Sequence, residues 1–320
     1  MNADKKIDAE RLRAIADRVY DPPATLDETT AMALECLAAR ETASQKPAKR
    51  KKVSKPVDPA KPLRDALTLA RSISANHYLP ILLHAVLDRT TLRATDLYQE
   101  IEITIPDVGA GPGLVLIQEV LDAVKAGGEV SWDGARMLSA GSTVATLSTG
   151  VPPVEEYPPA IRVDTPPETG ENGTPWMQRE CIEHTCDAGE LRYVMRSVDH
   201  AMGEDSTRPH LFGTLLVFPD DGGPVVATTT DGHRLATSNV KGYEVGPELL
   251  LPTSASRLLV RMLKGVTGPV RVRGFRYERT YKLVDGTGTQ KKGLADFTTA
   301  DWTLRTVLPD EQFPPYNKVI

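Results

Sequence analysis

The chain has 320 residues, 40% apolar and 25% charged, with 38 Lys and Arg against 43 Asp and Glu for a formal charge of −5. This suits a soluble globular protein of about two domains and excludes a wholly basic histone-like protein. The longest apolar run, 79–87, falls far short of the ~20 residues of a membrane helix; the charged first 13 residues lack a secretory signal's apolar stretch, and three cysteines make no disulfide framework, so a cytoplasmic protein with reduced thiols and no membrane partner is expected.

Residues 1–62 hold 13 basic and 10 acidic side chains, whereas the remaining 258 hold 25 and 33. The N-terminal extension, 1–43, is predicted to carry two helices. The first, 8–20, has Leu12, Ile15 and Val19 on one face and is stopped by Pro22 and Pro23; the second, 25–40, opens on the capping box Thr25-Leu26-Asp27-Glu28. Residues 44–62 form a basic linker with almost no apolar content, expected to be disordered. Its run Lys49–Lys52 reads either as a nucleic-acid contact or as a solvated linker.

The body, 63–320, repeats itself. Helices are predicted at 63–73 and 116–126 in the first half, and at 187–202 and 253–264 in the second. Between them lie strands at 81–87, 91–94 and 100–105, matched by 211–218, 225–229 and 234–238. Three more short strands close each half, at 129–132, 136–140 and 143–148 in the first. Thr95-Asp96-Leu97 matches Thr230-Asp231-Gly232, and Glu155-Glu156-Tyr157-Pro158-Pro159 matches Glu311-Gln312-Phe313-Pro314-Pro315. The spacing differs, so insertions are expected at 162–179 and in a hairpin at 277–293. The pattern predicts an α+β fold of repeated units, two helices packed on antiparallel sheets in each.

Four segments carry a family likeness. Thr228-Thr229-Thr230-Asp231-Gly232-His233-Arg234-Leu235-Ala236, Phe313-Pro314-Pro315-Tyr316-Asn317-Lys318-Val319-Ile320, Leu79-Pro80-Ile81-Leu82 and Ala94-Thr95-Asp96-Leu97 stand in the right order. Over 63–320 the chain resembles the first and middle domains of the bacterial DNA polymerase III beta subunit, the sliding clamp. The resemblance implies a clamp N-terminal domain at 63–161, a linker at 162–180 and a clamp middle domain at 181–320. It also implies a non-catalytic processivity factor without cofactor or metal. Such a protein forms a homo-oligomeric ring around double-stranded DNA at the nucleoid and tethers the replicative polymerase.

The residues agree in part. Arg257, Arg261 and Lys264 follow at i, i+4 and i+7 on a helix without acids, and Arg192 and Arg196 are one turn apart. Arg64 and Arg71 sit on the first helix, and Lys125 on the second. Such cations would screen phosphates without reading bases. Arg208 is carried over from the family's DNA contacts, whereas Asn76 with His77, and Pro209-His210, depart from them. The resemblance places a partner-peptide pocket for polymerase, clamp loader and repair proteins at Leu211, Thr230, Gly232, His233 and Leu235. A plainer reading makes Leu211 and Leu235 core and Gly232 a turn residue.

Two other classes stay open: a clamp-derived monomer competing for clamp partners, and a metal-dependent nuclease or hydrolase using Asp231 and His233. Against the second, Cys181, His184 and Cys186 have no second Cys/His pair at finger-like spacing, and Gly109, Gly111 and Gly113 lack the Lys-Ser/Thr of a phosphate loop. The family has three domains where this chain matches two. The resemblance leaves open a clamp lacking its third domain or a six-domain ring of three subunits.

Overall fold

The structure, a computed structural model, describes residues 58–74, 79–109, 111–148, 151–167, 174–203, 208–220, 222–238, 246–283, 286–310 and 312–316. The helices expected at 8–20 and 25–40, and the linker up to residue 57, lie outside the described residues.

Helix α1 (Lys61–Ser74) buries Leu63, Ala66, Leu67, Ala70 and Ile73, one apolar stripe at helical spacing. It therefore begins two residues inside the span expected as linker. Asp58 fixes its start by accepting from the amides of Ala60 and Gly128, at 3.1 and 3.2 Å, and by pairing with Arg64 at 2.6 Å. The Arg64 guanidinium holds the Asp58 carboxyl below the usual carboxylate range.

Strands β1 (His84–Leu87), β2 (Thr91–Thr95), β3 (Gln99–Thr104) and β4 (Gly113–Leu116) follow, then α2 (Ile117–Ala123), β5 (Val130–Trp132), β6 (Met137–Ala140) and β7 (Thr143–Thr146). The second half runs β8 (Met177–Asp187), α3 (Ala188–Val198), β9 (Gly213–Val217), β10 (Val226–Thr230), β11 (Leu235–Thr237) and β12 (Glu248–Pro252). It closes with α4 (Thr253–Met262), β13 (Pro269–Leu283), β14 (Gly286–Thr298) and β15 (Trp302–Leu308).

Several expected boundaries move, for local reasons. The strand expected at 81–87 starts only at His84, because Pro80–Leu83 is a 3-10 turn: Pro80 has no N–H for a ladder and its fixed φ suits a first helical turn. Pro209–Leu211 likewise forms a 3-10 turn, so the strand expected from 211 begins at Gly213. The helix expected to end at 202 stops at Val198 and tightens into the 3-10 turn Asp199–Ala201. The helix expected to reach 264 stops at Met262, leaving Lys264 in the turn that follows. The second half does not close on short strands: β13 has 15 residues and β14 has 13, and the hairpin expected at 277–293 is their outer part. The stretch 162–180 includes buried Val163 and Trp176 and the first residues of β8.

The strands form three antiparallel sheets, ordered β4-β1-β2-β3-β15-β14-β13-β8, β11-β10-β9-β12 and β5-β6-β7. Element by element, α1-β1-β2-β3-β4-α2-β5-β6-β7 is repeated as α3-β9-β10-β11-β12-α4-β13-β14-β15, with the same strand neighbours. Helix α1 packs beside α2 and α3 beside α4, each pair over its sheets, around one apolar core that draws on both halves.

The repeat reaches single atoms. In the first half the Thr95 hydroxyl accepts from Leu97 N at 3.0 Å, and Asp96 Oδ1 accepts from the amides of Tyr98 and Gln99. In the second, the Thr230 hydroxyl accepts from Gly232 N at 3.1 Å, and Asp231 Oδ1 accepts from the amides of His233 and Arg234. Both turns need a left-handed residue at the third position. Gly232 takes it at φ 89°, but Leu97 takes it at φ 77° with a Cβ. A non-glycine residue there costs ~1–2 kcal/mol, partly offset by glycine's greater freedom when unfolded. Leu97→Gly is therefore expected to stabilise the chain by about 0.5–1 kcal/mol in denaturant unfolding.

The halves meet where β3 pairs with β15, from Trp302↔Ile103 to Thr306↔Gln99. Glu100, fully buried in this seam, accepts from Arg93 at 3.1 Å and from Arg305 at 2.8 Å, and Arg305 also reaches Glu102 at 2.9 Å. Burial raises the Glu100 carboxyl above the usual range, and the two guanidiniums oppose that shift.

Candidate nucleic-acid and partner interface

The helix cations divide by what holds them. Arg64 Nη2 donates to the Val124 carbonyl at 3.0 Å, at the end of α2; Arg192 Nε donates to the Val260 carbonyl at 3.3 Å, on α4. Val124 and Val260 hold matching places in the two halves, so this is one interhelical bond made twice. It makes Arg64 and Arg192 half-buried staples of the helix pairs. Lys125 pairs with Asp122 at 2.5 Å, a carboxyl that the Gln118 amide, then Lys125 and last the charge of Arg71 hold below the usual range. Arg196, Arg257 and Arg261 are exposed on α3 and α4, opposite the buried stripes Leu191, Val194, Met195, Val198 and Leu258, Leu259, Met262. Lys264 is exposed just beyond α4. The basic row expected on this helix is thus present, with its third member in a turn.

Arg208 lies elsewhere. A Cβ on Gly232 would meet Leu211 Cδ1 at 3.3 Å and Arg208 Nη1 at 3.6 Å, so Arg208 sits at the Thr230–Gly232 turn with the expected pocket residues. The structure gathers four of those residues, Leu211, Thr230, Gly232 and His233, around this turn. Leu211 is buried beneath it, Thr230 donates to the Arg234 carbonyl at 2.7 Å, and His233 is exposed at its tip. Half-buried Leu235 joins a separate apolar cluster of Leu215, Val217, Val226, Leu250 and Tyr316, with Phe313 against it. Phe313 and Tyr316 meet edge to face at 5.9 Å. They come from the closing motif, where an aromatic pair flanking two prolines is the signal in the sequence. A cavity of about 700 Å³ adjoins them, lined by Leu215, Leu250 and Phe313 together with Arg179, Glu180, Glu248 and Arg276.

The enzyme reading finds other work for its residues. The Asp231 carboxylate accepts from two backbone amides and from Arg234 Nε at 2.9 Å, which holds it well below the usual carboxylate range. A carboxyl lowered in the folded state stabilises the fold above about pH 4, and that stability is lost as pH falls further. The stability gap between the native chain and Asp231→Asn is expected to be widest at pH 7 and to narrow below pH 4, read by denaturant titration. Cys181, His184 and Cys186 do not converge either. Alternation on β8 leaves Cys181 exposed, sets the His184 ring against Phe218 in a tilted contact with centroids 4.9 Å apart, and buries Cys186, whose thiol burial pushes up to about 12. Among the described residues no group of three or more His, Cys, Asp or Glu stands close enough to hold a metal, and no helix is long and apolar enough to cross a membrane.

The repeated helix pairs over antiparallel sheets, joined edge to edge at β3 and β15, have counterparts among solved structures. A DNA polymerase III subunit beta from Pseudomonas aeruginosa superposes with a TM-score of 0.58 at 22% identity, over 82% of this chain and 67% of that one. The sliding clamp from Bartonella birtlesii bound to griselimycin gives 0.59 at 23%, over 82% and 67%. The beta subunit from Thermotoga maritima gives 0.56 at 20%, over 82% and 66%. The chain has the sliding-clamp fold. It spans about two thirds of the length of the clamps it matches. No family model and no curated protein matches the chain. The four short motifs point to the clamp fold, and the structural likeness over 82% of the chain bears that fold out.

Proposed function

We propose that this chain is a sliding clamp, a non-catalytic processivity factor that encircles duplex DNA in the cytoplasm and tethers a replicative polymerase. The observation that carries it is the row of exposed cations on α3 and α4, set on helices whose other face is committed to the core. Exposed Arg and Lys on rigid helices attract phosphates at every sequence alike, and such contacts weaken steeply with salt. Retention would then rest on closure of the ring.

The internal repeat supports a way to close it. In the chain, β3 of one half pairs with β15 of the other. By the repeat, β11 is the counterpart of β3 and β7 the counterpart of β15. Among the described residues each has one strand neighbour, leaving its other edge free. Pairing of β11 in one copy with β7 in the next would continue the same joint head to tail, and three copies of two clamp domains, 63–161 and 181–320, would make six. Polymerase, clamp loader and repair proteins would seat short apolar motifs on Leu211, Thr230, Gly232, His233 and Leu235.

The test is solution mass by light scattering over a concentration series, followed by retention on nicked circular DNA. A mass near three subunits, with retention lost when the circle is cut, is expected. A monomer at every concentration that still binds clamp-motif peptides would overturn the ring and leave a competing partner-binding module.

A further inference from the structure

The β13–β14 hairpin outruns its neighbours. Strand β8 pairs with β13 only as far as Glu278, and β15 pairs with β14 only from Gly293. Beyond these points the two strands continue alone as a ribbon, paired from Arg279↔Gln290 to Leu283↔Gly286. Between 279 and 292 the sequence has four cations, Arg279, Lys282, Lys291 and Lys292, against one acid, Asp285.

Alternation along the strands places Tyr277, Arg279 and Tyr281 on one face, opposite Lys292, Gln290 and Gly288. Arg279 is held ready on that face. Its guanidinium stacks over Trp176 at 4.7 Å, and Nε and Nη2 donate to Gln290 Oε1 at 2.9 and 2.7 Å. Both partners are neutral, so its charge is not neutralised there. The Tyr281 ring lies across Gly288, where a Cβ would come within 2.6 Å of ring Cζ; 37% of this tyrosine is exposed. The Thr174 hydroxyl donates to the Thr280 carbonyl and ties the preceding segment to the ribbon.

A pinned cation and an exposed ring on the ribbon, with Lys292 on the same face just inboard of it, match the chemistry of single-stranded nucleic acid: bases offer flat π faces and the backbone offers phosphates. We propose that this ribbon face is a single-strand contact, with a base stacked on Tyr281 and phosphates at Arg279 and Lys292. It shares no residue with the row of helix cations, so its failure can be told from failure of the clamp reading.

The probe is a fluorescent oligo-dT 20-mer, read by anisotropy on the full chain. Tyr281→Ala is expected to weaken binding about fivefold or more, while Tyr281→Phe keeps it. Arg279→Gln with Lys292→Gln is expected to flatten the dependence of log K on log salt by about 1.4, for two single-strand phosphates. Retention on nicked circles should survive all three changes. Unchanged oligo-dT affinity in Tyr281→Ala and in the double variant, both folded by circular dichroism, overturns the proposal. So does equal loss of oligo-dT and polyglutamate in the double variant with none in Tyr281→Ala, which marks a general polyanion surface.

Discussion

Replacing Arg257, Arg261 and Lys264 with glutamine is expected to abolish most retention on circular DNA at moderate salt while leaving the fold intact. The three side chains are exposed, and the residues that seat α4 are Leu258, Leu259 and Met262, so the change removes charge without opening the core. Each phosphate contact on duplex DNA adds ~0.9 to the slope of log K against log salt, so loss of three flattens it by about 2.7. At 0.1 M salt that corresponds to a fall of about two to three orders of magnitude in affinity. An unchanged slope would place the DNA path away from this face. The matched control is Arg64→Gln. Arg64 staples α1 to α2 through the Val124 carbonyl, so its loss should lower stability more than it lowers the salt slope.

Arg305→Ala is expected to destabilise the chain by about 3–5 kcal/mol, because it strips one partner from a fully buried carboxylate. Arg93 and the Ile161 amide then hold Glu100, and Glu102 loses its partner on β15. Thermal unfolding should shift down by roughly 6–15 °C for a unit of this size. Glu100→Gln should cost less, since an amide keeps hydrogen bonds without a buried charge. Its sign with pH also differs. The Glu100 carboxyl is raised in the folded state, so its protonated form favours folding at low pH and that gain is lost as pH rises through the folded value. Relative to the native chain, Glu100→Gln should therefore look better at pH 7 than at pH 4. An Arg305→Ala variant melting within 2 °C of the native chain would show the seam to be held by β3–β15 backbone pairing alone.

Much of this architecture is legible along the chain because its signals are local. Leu63, Leu67 and Ala70, or Leu258 and Met262, mark helices by spacing alone, and Thr95-Asp96 and Thr230-Asp231 mark two turns closed by their own side chains. Strands β4 and β12 were missed: each is a short apolar run without alternation, Gly113–Leu116 and Glu248–Pro252. Strand β8 was missed because Met177–Asp187 reads as polar; it is a sheet edge and leaves most of its side chains to solvent. The site followed the same division. Arg257 and Arg261 share a helix face by arithmetic, but nothing near Arg208 in sequence announces that it lies at the Gly232 turn.

By itself the sequence determined the repeat, the four helices and the turn chemistry, since each depends on residues within a few positions of one another. Only the tertiary structure decided which cations staple the helix pairs together. Arg64 and Arg192 look like Arg196 and Arg261 in sequence, but carbonyls 60 and 68 residues away hold them. It also decided the seam, where Glu100 and Arg305 meet across 205 residues, and the two sheet edges left open at β7 and β11. Contacts between distant residues form only when burial of the shared core brings them together, and no local pattern records them.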